Sequence, residues 1–164
     1  RPHSLPRRRE PCIQDIEKAL QYSPYQPDTV TLTGTLLFMM GHRDRGAALV
    51  KEALRLNPHL PWNHRTVTFM SSYRQRRYDA ALAEALSMHA PGFFLQPLCR
   101  AAALGQLGRG EDAASALQEL LELRPDFPSR AEDLIRRWMF SDENAEMLLD
   151  GLRKAGLEDY SGNG

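Results

Sequence analysis

The segment GTLLFMMGHRDRGAALVKEALRLNP, Gly34 to Pro58, carries the deciding pattern of this chain: two helical stretches hinged at Gly41 and stopped by a proline. Val30, Gly34 and Leu37 recur at helical spacing in the first stretch, and Ala47, Val50, Ala53 and Leu54 do so in the second. A mid-helix glycine costs about 1 kcal/mol against alanine, so Gly34 predicts a close approach by the returning helix. Asn57-Pro58 ends the return, because proline lacks the amide that another turn would need. The ending recurs: Pro24, Pro58, Pro91 and Pro125 stand 34, 33 and 34 residues apart, each closing a phrase like Glu52-Ala53-Leu54. Such a period predicts a stack of helical hairpins.

Working outward, residues 1–11 hold three prolines and four arginines without any apolar period, which predicts a flexible basic arm or linker remnant. Ile13, Ile16 and Leu20 then form one helical face up to Ser23-Pro24, the second helix of a repeat whose first is missing or divergent. Asp28 is placed to cap the helix that contains Gly34. In the second repeat, Pro61 to Pro91, the run Arg74-Gln75-Arg76-Arg77 replaces the turn glycine, and Leu82, Ala85, Leu86 and His89 share the face of the return helix. The third, Phe93 to Pro125, is regular: Ala101, Leu104 and Leu107 precede Gly108, and Ala113, Ala116, Leu117, Leu120 and Leu121 follow it.

After Pro125 the content changes in the manner of a terminal cap with a more polar outer face. Ser129 and Glu132 have the spacing of a capping box, ahead of Ala131, Leu134, Ile135 and Trp138. Ser141-Asp142 opens a last helix bearing Ala145, Leu148, Leu149 and Leu152, stopped by Gly156. The expected organisation is one domain over residues 12–157 and a disordered tail over 158–164.

Gly34, Gly41, Ala53 and Pro58, then Gly108, Ala113 and Pro125, fall where the tetratricopeptide repeat wants small, turn and terminating residues, and the chain resembles that family from Cys12 to about Pro125. The resemblance implies an all-α, right-handed α-solenoid of antiparallel helix pairs: about three repeats, a partial amino-terminal repeat and carboxy-terminal capping helices. In such arrays the first helices line a concave groove. Thr31, Thr35 and Phe38 of the first full repeat, with Thr66, Met70 and Tyr73 of the second, are the expected groove residues for a protein or peptide segment. Lys, Arg and Asn, which grip a chaperone's terminal carboxylate in some relatives, are absent there; Thr31, Thr35 and Leu98 stand instead.

A second resemblance rests on Ala101-Ala102-Ala103-Leu104-Gly105-Gln106-Leu107-Gly108-Arg109, Pro125-Asp126-Phe127, Phe140-Ser141-Asp142 and Gly151 to Leu157. These are similar to the tetratricopeptide tail of bacterial signalling proteins headed by a class III adenylate or guanylate cyclase or a winged-helix domain. It implies a regulatory, protein-binding part of something longer, which a start at Arg1 without Met also suggests. The alternative is a free-standing tetratricopeptide chaperone or adaptor for a secreted or unfolded client.

With 21 basic and 21 acidic residues, the chain has no overall field to gather nucleic acid or an anionic membrane. The greasiest run, Leu36 to Met40, is far shorter than a membrane span, and no signal peptide is apparent. Cys12 and Cys99 lie two to three repeats apart, which predicts reduced thiols and a cytoplasmic setting. The five histidines have no metal-ligand spacing, no glycine-rich loop follows a strand, and Glu111-Asp112 and Glu132-Asp133 suit helix starts. No enzyme, metal or cofactor site is therefore expected. The open face of the Ile13 to Leu20 helix suggests a homodimer through that end.

Overall fold

The structure is a computed structural model, describing residues 13–139 and 141–158. The expected arm over 1–11, Cys12 and most of the 158–164 tail lie outside the described residues. Those described form nine α-helices and a 3₁₀ turn, with no strand. The chain divides after Asn57 into two compact units.

In the first unit, α1 (Ile13–Tyr22), α2 (Pro27–Met39) and α3 (Arg43–Leu56) pack in chain order. The α2/α3 hairpin turns at Gly41, as the segment from Gly34 to Pro58 predicts. A Cβ placed on Gly34 would lie 2.7 Å from both the Gly46 carbonyl oxygen and Val50 Cγ2, so the two backbones touch where a side chain would hold them apart. Asp28 does not cap α2. Pro27 takes the first helical position, where its missing amide costs nothing, and Gln26 precedes it in an extended conformation with no side-chain cap. On α1, Ile16 is buried, whereas Ile13 is exposed.

In the second unit a 3₁₀ turn (Trp62–His64) leads into α4 (Arg65–Arg74), followed by α5 (Tyr78–Leu86), α6 (Leu95–Gln106), α7 (Gly110–Leu123), α8 (Phe127–Met139) and α9 (Asp142–Lys154). The hairpins α4/α5 and α6/α7 stack through α5 against α6. Helix α5 stops at Leu86, so Leu86 and His89 turn outward and Met88 takes the inner place. The Ser129–Glu132 capping box does not form. Helix α8 already starts at Phe127, the backbone leaves helical geometry at Arg130 (φ −126°, ψ 16°), and the Ser129 hydroxyl donates to the Asp126 carbonyl. Ser141 does cap α9, accepting from the Asn144 amide at 3.1 Å.

Four helices end in the same motif. Gly41, Arg76, Gly108 and Gly156 have positive φ, and the next amide in each case bonds back to the carbonyl five residues earlier: His42 to Leu37, Arg77 to Ser72, Arg109 to Leu104, Leu157 to Leu152. Arg76, at φ 59°, therefore fills the place that the other three turns give to glycine, at a cost of about 1–2 kcal/mol.

The capping helices reach further than the last hairpin. Helix α9 packs chiefly on α6 and also touches α4, burying Ala145, Leu148, Leu149 and Leu152. Gly105 and Gly151 meet backbone to backbone, and a Cβ on Gly151 would come within 2.6 Å of the Ala102 carbonyl oxygen. Trp138 of α8 joins Trp62 and Phe93, with ring centroids 6.0 and 5.3 Å away, so the aromatics ahead of α4 and α6 close around α8.

Candidate partner-binding face

The helix stops give the repeats a common register. Thr31, Thr35 and Phe38 stand ten, six and three residues before Gly41; Thr66, Met70 and Tyr73 do so before Arg76; Leu98, Ala102 and Gly105 do so before Gly108. The expected groove residues are therefore equivalent positions on first helices, three on α2 and three on α4. Thr31, Phe38, Thr66, Met70 and Tyr73 are buried, and Thr35 is half-buried.

The threonine hydroxyls turn back onto backbone carbonyls one turn earlier in the chain. Thr31 Oγ1 donates to the Pro27 carbonyl at 2.9 Å, Thr35 Oγ1 to Thr31 at 2.8 Å, and Thr66 Oγ1 to Asn63 at 2.6 Å. A threonine inside a helix satisfies its hydroxyl this way.

In the second unit α9 covers this register. Tyr73 Oη donates to the Met147 carbonyl at 2.9 Å and accepts from Gln106 Nε2 at 3.1 Å. Burial pushes the Tyr73 phenol well up, so it stays a neutral donor. Gln106 also donates to Asp150 at 2.9 Å and accepts from Lys154 Nζ at 2.8 Å. At the other end of α9, Arg74 donates to Asn144 Oδ1 at 2.6 Å and pairs with Glu143 at 3.1 Å, while Asn144 Nδ2 donates to the Met139 carbonyl. Arg74 is thus part of the helix packing.

In the first unit Met39, placed before Gly41 as Arg74 and Gln106 are before Arg76 and Gly108, lies open instead. Leu32 is 61% and Met39 51% exposed, with half-buried Thr35 and Leu36 between them. The spacing from 32 through 35 and 36 to 39 draws one apolar stripe along the helix. Ile13, Tyr22, Tyr25, Met40 and Leu56 are further exposed apolar side chains of this unit, against Leu86 and Leu123 in the other. Leu32 and Met39 are not among the residues that groove geometry singles out in the sequence. Their signal is the uncharged run from Val30 to Met40, whose apolar side chains a helix packed on one side cannot bury entirely.

Cys99 is fully buried and its thiol pushed up by desolvation, the condition of an inert cysteine. Among the described residues, no group of three or more His, Cys, Asp or Glu is placed to hold a metal, and no helix is long and apolar enough to cross a membrane.

Hairpins with a shared register and common stops define a helical-repeat protein, with the fold of the tetratricopeptide-like α-solenoids. Two structures of MamA, designated MSR-1 C2 and AMB-1 P212121, share it. The first superposes with a TM-score of 0.63 at 22% identity, over 87% of this chain and 82% of that one. For the second the TM-score is 0.65 at 22% identity, over 92% and 82%. No family model matches the sequence, and no curated protein does.

Proposed function

We propose that this chain is a protein-interaction module whose recognition face is the exposed stripe of α2, from Leu32 through Thr35 and Leu36 to Met39. One observation carries the reading: Met39, two residues before its helix stop, is exposed, whereas Arg74 and Gln106 at the same place in α4 and α6 are bonded to α9. An apolar stripe of this spacing suits the apolar face of an amphipathic helix from a protein partner. Thr35 contacts the partner directly, and Thr31 and Phe38 support the face from beneath. Thr66, Met70 and Tyr73 do the same for α9, an internal stand-in for such a partner.

A photo-crosslinking residue tests this in the native cell. Introduced at position 32 or 39 it captures a protein partner, and at Ala48, exposed on α3, it does not. Adducts of equal yield at all three positions, or none at any, refute the proposal. The finer role follows the resemblance of 101–109 and 151–157: regulation, within a larger bacterial signalling protein, of an attached cyclase or winged-helix domain. Altered activity of that domain on substitution of Leu32 and Met39 by glutamate is the expected result. A single co-purifying client and no attached domain would instead establish the free-standing adaptor.

A further inference from the structure

Beside the turn that joins α4 to α5, facing α9, the second unit opens into a cleft of about 610 Å³. Apart from Met147, its lining divides into two sets. Tyr73, Gln106, Asp150 and Lys154 satisfy one another in a hydrogen-bonded network. Arg76, Tyr78 and Glu146 also line the cleft, yet the Arg76 guanidinium, the Tyr78 hydroxyl and the Glu146 carboxylate engage no polar partner among the described residues. The Tyr78 ring is held edge-on to Tyr73 at 5.2 Å, which fixes its position.

Arg76 is the informative member. Among the described residues three helices end on glycine at this position, and only here does a long side chain occupy a left-handed turn. Beyond the backbone bonds of the turn, no side-chain contact among the described residues offsets that conformation, since the side chain is exposed and unpaired. Its product is a guanidinium fork at the edge of the cleft, the group best suited to hold a carboxylate by two parallel hydrogen bonds. Tyr78 adds a neutral hydroxyl and Glu146 a negative charge. A purely acidic ligand would be repelled by Glu146; one carrying acid and base together satisfies both.

We propose that this cleft is a second protein-binding site, separate from the α2 stripe, and that it takes an extended peptide segment bearing alternating acidic and basic side chains. Arg76 holds the carboxylate, Tyr78 donates to it, and Glu146 holds the base.

The probe is an acetylated, fluorescein-labelled hexapeptide of alternating Glu and Lys, followed by anisotropy against the whole chain and checked by competition with unlabelled peptide. The chain has a formal net charge of zero, so overall attraction contributes little. Arg76→Gly is expected to weaken binding about fivefold to tenfold while raising Tm by about 2–4 °C, a combination that a structural role for the side chain does not give. Glu146→Gln and Tyr78→Phe should each weaken it by about threefold. Arg77→Ala, the neighbouring arginine outside the cleft, should leave it unchanged. Absence of saturable, competed binding at millimolar peptide, an equal loss in Arg77→Ala, or a lower Tm for Arg76→Gly would overturn the proposal. None of these results bears on crosslinking from position 32.

Discussion

The two units handle the same helix face in opposite ways. On α6 and α4 it carries Gln106 and Arg74, at the place of Met39, and is roofed by α9, which bonds both and whose Leu148 and Leu152 are fully buried. On α2 it carries Leu32 and Met39 in the open. Equivalent positions in a repeat can therefore serve different ends. One unit closes its face with α9, and the other leaves apolar surface exposed. A closed face calls for small residues where backbones meet, and Gly105 and Gly151 supply them.

The comparison breaks most severely at Gly151. Gly151→Val drives side-chain atoms into the Ala102 carbonyl and should cost about 3 kcal/mol or more. Chemical denaturation followed by circular dichroism should show the second unit unfolding early. Next comes a matched pair of leucines. Leu148→Ala should lose about 2–5 kcal/mol and Leu32→Ala less than about 0.5 kcal/mol, with the latter alone impairing partner capture. Similar losses for the two would mean that the open stripe is not open in solution. Tyr73→Phe removes the hydroxyl shared by Met147 and Gln106, and about 1 kcal/mol should follow, confined to the second unit.

The smallest effect is in pH. The hydrogen bond from Gln106, then that from Lys154, holds the Asp150 carboxyl below the ordinary carboxylate range. A lowered folded-state value stabilises at pH above the unfolded one, and this is lost as pH falls below about 4. Asp150 is largely solvated, so the difference between wild type and Asp150→Asn should stay under about 1 kcal/mol and disappear in acid.

Much of the architecture was legible because glycine and proline act locally. Gly34 announced a close approach, Gly41, Gly108 and Gly156 the helix stops, and the proline period the hairpins. Arg76 shows the limit of that alphabet, since the same turn closes on a residue that does not advertise it. The docking of α9 could not be read, because Ala145, Leu148 and Leu152 define an inward face without saying which helices cover it; Tyr73 and Met147 meet 74 residues apart. The site was only half legible for a related reason. An apolar helix such as α2 has no polar side to orient it, so the sequence pointed to Thr31 and Phe38, which are buried, and not to the exposed Leu32 and Met39.

The aromatic contacts around α8 decide what intrinsic fluorescence sees. Both tryptophans of the chain, Trp62 and Trp138, belong to the second unit and to one cluster of rings. Their emission will follow the release of α8 and remain blind to events in the first unit. Tyr22 and Tyr25, exposed beside the first hairpin, are the natural optical reporters there.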